Sequence, residues 1–147
     1  MSTENRAAAA FVKRLPVEEL VLPATVVGGD LGTFYADFTL WSNDGTRSHT
    51  LNGLVDTGAF YPQVPALILE DLGIEREFSE VFRLADGTKL ELDVGQVRIE
   101  LEGQRRSVYA VFGPAGSSTL LGALALEIFA LAIHARNEKF IPADLPL

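Results

Sequence analysis

From Thr33 onward the chain alternates. Phe34, Ala36, Phe38 and Leu40 share one parity and Tyr35, Asp37, Thr39 and Trp41 the other, the two-residue period of a strand that buries one face. Asn43-Asp44-Gly45 comes next. These three residue types tolerate positive φ, so they predict a hairpin turn into a return strand from Arg47 to Val55. The period then lengthens once: Leu67, Ile68 and Leu72 form an apolar helical stripe, with Pro65 at the first helical position and Gly73 ending the helix in a left-handed conformation. Strands resume from Phe78 to Leu84 and from Lys89 to Leu101 around the turn signal Asp86-Gly87, and Gly95 predicts a bulge or bend inside the second. Glu102-Gly103-Gln104 turns the chain into Ser107 to Phe112. After a Gly113 to Ser118 loop the pattern gives a short apolar strand and a helix over Ala123 to Ala130. A last pair of strands follows, Leu131 to His134 and Lys139 to Pro142. These elements predict a mainly β fold with two short helices.

The segment before this pattern reads differently. Residues 4–13, with four consecutive alanines, predict a short helix that Leu15-Pro16 ends, because a residue before proline is pushed out of the α region. Val17 to Val27 reads as extended. We therefore divide the chain into an N-terminal extension, residues 1–24, and one domain, residues 25–147. Its 147 residues, 48% apolar and 22% charged, suffice for a folded domain burying about two thirds of its unfolded surface. The absence of cysteine removes disulfides, thiolate nucleophiles and cysteine-based metal sites. A net charge of −8 opposes binding to phosphate backbones, and the basic pairs Lys13-Arg14 and Arg105-Arg106 read as solvated, so no nucleic-acid partner is expected. Nor is a membrane: Leu120 to Ile133 is interrupted by Glu127 and falls short of the ~20 residues a spanning helix needs. A cytoplasmic location is the expectation.

Asp56 is the outstanding candidate for chemistry. It follows the apolar Leu54-Val55 and precedes Thr57, Gly58 and Ala59, which places a carboxylate at the end of a buried strand. An ionised group there must be paired or hydrogen-bonded, or its pKa must rise until it is neutral. Gly58 lets backbone N–H groups approach the carboxylate, and the Thr57 hydroxyl can bridge to neighbouring backbone. The plainer alternative is an Asp that caps a turn after a strand. A second apolar motif, Leu120-Leu121-Gly122, opens the later helix.

With both motifs in view, residues from about Gly32 to Pro142 resemble the retropepsin-like aspartic proteases. The parts stand in family order: a strand into Asp56-Thr57-Gly58-Ala59, a short helix ending at Gly73, a hairpin around Asp86-Gly87, a strand pair, and Leu120-Leu121-Gly122 before a helix. The resemblance implies a closed antiparallel β-barrel with one or two short helices. It makes Asp56, with Thr57 and Gly58, the catalytic motif, and Leu120, Leu121 and Gly122 its structural support. It assigns Ala59 and the flap-like hairpin at Ala85, Asp86 and Gly87 to substrate binding. It implies a polypeptide substrate and no metal or cofactor. The family's reaction uses two carboxylates that share a proton. With one such motif per chain, an active enzyme is a homodimer to which each protomer brings Asp56.

The chain departs from the retroviral pattern at Phe60, Tyr61 and Ala123, where an ion-pair brace is usual. Bacterial and cellular members look closer, with a helical Leu-Glu pair such as Leu126-Glu127. Phe60 and Tyr61 either line a substrate pocket or simply pack. His49 and His134 stand far apart without a third ligand and do not make a zinc site; His134 reads as a core or edge residue. Glu70 and Asp71 read as a solvated helix face. Two functions remain open: an aspartic endopeptidase, or a non-catalytic dimerisation or peptide-binding module of the same fold.

Overall fold

The computed structural model describes residues 20–21, 34–134, 136–145 and 147. The helix expected at residues 4–13, the Lys13-Arg14 pair and all of Val17 to Val27 except Leu20–Val21 lie outside the described residues.

The strands are β1 (Leu20–Val21), β2 (Tyr35–Trp41), β3 (Ser48–Val55), β4 (Gln63–Pro65), β5 (Phe78–Arg83), β6 (Lys89–Leu101), β7 (Gln104–Gly113), β8 (Leu120–Leu121), β9 (Leu131–His134) and β10 (Lys139–Pro142). Two short helices, α1 (Ala66–Asp71) and α2 (Ala123–Ile128), follow β4 and β8. The large sheet runs β2-β3-β8-β4-β7-β6-β5, and a further pairing of β2 with β6 closes its first six strands into a ring. β5 is left outside the ring as a flange on β6. A smaller sheet, β1-β9-β10, completes the fold. The expected mainly β, barrel-like architecture is present. Its pairings are antiparallel apart from β3 with β8 and β4 with β7, which are parallel.

The alternating strand behaves as its pattern dictates. Phe38 and Leu40 are buried inside the ring, joined there by Val97, Ile99, Leu121 and Leu126. Gly45 turns the β2–β3 hairpin with φ 72°, and Glu102 and Gly103, at φ 51° and 78°, make the two-residue turn between β6 and β7. Both helices end within one residue of their expected limits or short of them.

Three local readings need correction. Pro65 is the residue before α1, extended at ψ 131° and the last of β4, so the helix starts one position later than its proline suggested. The buried residues of this region are Leu69 and Leu72, whereas Leu67 is 77% exposed. A six-residue helix makes fewer than two turns, too few for spacing alone to identify a face. Of the bulge or bend expected at Gly95 the bulge is absent, because the β6–β7 register runs unbroken from Val94↔Val111 through Gln96↔Tyr109. Glycine is needed there because the segment before β5 crosses the strand, and a Cβ would run into the Glu75 carbonyl oxygen.

Arg105 and Arg106 are also not simply solvated. Arg105 lies 3.8 Å above the Trp41 ring and bonds Glu100, while Arg106 donates to the Ile128 carbonyl oxygen at 2.6 Å. No helix among the described residues is long and apolar enough to cross a membrane.

Candidate active site

Asp56 is placed by the parallel contact between β3 and β8. Leu54 and Val55 pair with Leu120 and Leu121, the Leu54 N–H donates to the Thr119 carbonyl at 3.0 Å, and the Asp56 N–H donates to the Leu121 carbonyl at 3.2 Å. Asp56 is therefore the first residue past β3, whose last residue, Val55, is buried, and it is held by the second motif. The chain then turns: the Ala59 N–H donates to the Asp56 carbonyl at 3.2 Å, and the Gly58 N–H donates to Asp56 Oδ1 at 2.9 Å. One carboxylate oxygen is thus fixed by backbone. Asp56 is half-buried, and Thr57 beside it is buried at 6% exposure.

Gly122 fixes the far side of this loop. A Cβ there would stand 2.6 Å from the Tyr61 carbonyl oxygen and 2.7 Å from that of Phe60. Only glycine lets the loop lie this close to the start of α2. The contact serves both partners, because the Ala123 and Leu124 N–H groups, orphan donors of the helix's first turn, donate to the Ala59 and Phe60 carbonyls at 2.8 Å each. Ala123, a departure from the retroviral pattern, thus joins the loop to the helix through its backbone. Leu120, Leu121 and Gly122 support the Asp56 loop by these contacts.

Asp56 opens onto a cleft of about 540 Å³. It is lined by Gly58, Ala59, Phe60 and Tyr61 of the Asp56 loop and, from the hairpin, by Phe82, Arg83 and Leu84 of β5 and the turn beyond, with Leu90 and Leu92 from β6. Phe60 and Tyr61 therefore line the cleft. The floor is reached by Gln63, Val111 and Leu120. Among the described residues lining the cleft, Asp56 is the one carboxylate.

The hairpin tip lies beyond this wall. Ala85, Asp86 and Gly87 are exposed, and the tip is closed by Leu84 N–H to the Thr88 carbonyl at 2.7 Å and Thr88 N–H to Asp86 Oδ1 at 2.8 Å. That backbone N–H and the Thr88 hydroxyl hold the Asp86 carboxyl below its ordinary value. The hairpin residues that share the cleft with Asp56 are Phe82, Arg83, Leu84, Leu90 and Leu92. The four apolar ones carry a sequence signal, alternation with Arg83, Lys89, Glu91 and Asp93, and cross-strand pairing of Phe82 with Leu90 puts both on one face.

Aromatic rings join the two walls. Phe60 and Tyr61 meet edge to face at 4.9 Å, and Tyr61 meets Phe82 at 5.8 Å. Burial, and after it the Glu80 carboxylate, pushes the Tyr61 phenol above its usual pKa, so it stays protonated as a neutral cleft residue. The histidines lie elsewhere. His49 Nε2 is 2.7 Å from Asp71 Oδ2, and His134 is buried, its Nδ1 accepting the Asn137 N–H at 3.1 Å. Glu70 and Asp71 are exposed but engaged, the first with Arg76 and the second with His49.

No family model matches the chain, and no curated protein does. Among solved structures it is similar to EIAV protease complexed with the inhibitor HBY-793, at 20% identity over 77% of this chain and 91% of that one, TM-score 0.49. It is also similar to the protease of simian foamy virus (mac) in solution, at 22% identity over 63% and 90%, TM-score 0.45.

Proposed function

We propose that the chain is an aspartic endopeptidase that acts as a homodimer, each protomer contributing Asp56. The carrying observation is the one carboxylate among the described residues lining the cleft, half-buried and held by the Gly58 N–H just past the end of β3. Hydrolysis of a peptide bond by carboxylates needs two of them with one proton between them, and the described residues of one cleft supply one. A second Asp56 across a two-fold axis completes the pair. The ionised carboxylate takes a proton from water as the water oxygen bonds to the scissile carbonyl carbon, and the protonated partner gives its proton to the carbonyl oxygen. On collapse the C–N bond breaks, the leaving nitrogen takes the proton that the first carboxylate had accepted, and a hydroxyl proton of the intermediate returns to the second carboxylate, restoring the shared-proton pair. The Gly58 N–H holds the carboxylate, with Thr57 buried beside it, and the largely apolar cleft lining takes the side chains of an extended peptide. Ala59 and the hairpin tip at Ala85, Asp86 and Gly87 bind that peptide's backbone as an added strand when the hairpin closes, with no metal or cofactor.

One observation favours a second reading. The Gly58 N–H to Asp56 Oδ1 bond closes a local turn by itself, which gives Asp56 a structural use in a peptide-binding or dimerisation module. Asp56→Asn separates the two. The amide oxygen still accepts the Gly58 N–H, so melting and oligomeric state stay as in wild type, but proton exchange is lost and cleavage of a peptide library should fall at least about a hundredfold. Undiminished cleavage by Asp56→Asn would end the protease reading, and a folded wild-type dimer that binds peptides without cutting them would establish the module.

A further inference from the structure

The β5–β6 hairpin touches the rest of the molecule unevenly. Five of the six residues of β5 are exposed, and the exception is Phe82. At its base the hairpin is well anchored: Phe78 meets the Tyr109 ring at 5.5 Å, and Ser79 donates to Asp93, which also holds Arg76. Towards its tip the ring contact is Phe82 against Tyr61. Tyr61, by contrast, stands on immobilised backbone. Its carbonyl lies against Gly122, the preceding Phe60 carbonyl accepts the Leu124 N–H at 2.8 Å, and the following Pro62 is buried with its carbonyl accepting the Val111 N–H at 2.8 Å.

From this asymmetry we propose that Tyr61 is a positioning residue: with Phe60 behind it, it is the fixed half of an aromatic clasp that latches the hairpin over Asp56 through Phe82, with the hairpin pivoting at its Phe78 base when the clasp lets go. A hairpin held firmly at its base and by one ring contact towards its tip can take two arrangements. In the engaged one, Phe82, Leu84, Leu90 and Leu92 form the cleft wall opposite Asp56. In the released one the wall swings out and an extended chain can enter. Edge-to-face rings suit such a latch because the contact is favourable but small, so it can open and close repeatedly. The ring, not the phenol oxygen, does the latching, so phenylalanine replaces tyrosine here. That the clasp gates a peptide rests on the protease reading; that it holds the hairpin does not.

The test is amide hydrogen exchange on the full chain, followed over the hairpin, residues 78–94, and over the β6–β7 turn and β7 as an internal reference. Tyr61→Ala should speed exchange in the hairpin by about threefold to tenfold, the worth of one aromatic pair, and leave the reference unchanged. Tyr61→Phe should behave as wild type. Phe82→Ala breaks the same contact from the hairpin side without touching the loop that carries Asp56, so it should reproduce the effect, and it serves alone if Tyr61→Ala does not fold. The double variant should exceed neither single one. Unchanged hairpin exchange in Tyr61→Ala or Phe82→Ala, or effects that multiply in the double variant, would overturn the clasp. On a cleaved peptide, Tyr61→Ala should raise KM more than it lowers kcat, with rescue by phenylalanine. Hairpin exchange that responds to Tyr61 in a chain that cleaves nothing leaves the clasp standing and removes the protease reading.

Discussion

Two glycines flank the Asp56 loop, and their surroundings assign them different work. Gly122, at φ −82°, has ordinary backbone but no room: any Cβ meets two carbonyl oxygens of the loop below 3 Å. Gly122→Val should cost about 1–3 kcal/mol, since backbone on both sides must move, and should reduce activity as the loop shifts. Gly58 is the converse. The only neighbour a Cβ would meet is Asp56 Oδ1 at 3.2 Å, and its φ is not positive. Gly58→Ala should therefore melt within about 1 kcal/mol of wild type, helped by the stiffer unfolded chain, while displacing the carboxylate and lowering cleavage. Thermal melts beside a peptide-cleavage assay check the contrast, and equal stability losses in the two variants would show that the loop does not distinguish them.

At the scale of elements, the β2–β3 hairpin carries a pH signature. Asp44 accepts from the Ser42 hydroxyl at 2.7 Å and from the Thr46 N–H and hydroxyl at 3.0 and 2.7 Å, and these bonds, Ser42 first, lower its pKa from 3.8 to about 2. A pKa lower in the folded chain means the ionised form stabilises the fold; the contribution is complete above 3.8 and is lost as pH falls towards about 2. The melting-temperature advantage of wild type over Asp44→Asn should accordingly shrink through that window, and an advantage independent of pH would refute the assignment. This turn was legible in the sequence, as were the β6–β7 turn and the last two strands, because Asn, Asp and Gly encode backbone geometry locally. The Asp56 motif was legible for the same reason. What stayed hidden depends on distant partners. β4 is a strand only because β7 and β8 flank it, Gly95 answers to Glu75 crossing it, and the cleft wall exists because the hairpin brings Phe82 and Leu90 to one face opposite Tyr61.

For the whole molecule the decisive quantity is how many carboxylates one chain can bring to one cleft, and among the described residues that line it the answer is a single Asp56. If catalysis needs a pair, activity belongs to pairs of chains rather than to chains. Each protomer carries a net charge of −8, so association is opposed by like charge and should be studied at physiological salt or above, where repulsion beyond about 8 Å is screened. Under those conditions, wild type mixed with an equal amount of Asp56→Asn should pair at random once subunits exchange, leaving about one dimer in four with two aspartates and about half with one, as a two-fold site requires. A wild-type chain then finds a wild-type partner half as often as before. Activity per wild-type chain should fall to about half and continue falling as the variant is raised. Native mass spectrometry establishes that exchange has occurred. Constant activity per wild-type chain in an exchanged mixture would mean that one Asp56 suffices, and the second carboxylate would have to be abandoned along with the two-fold site.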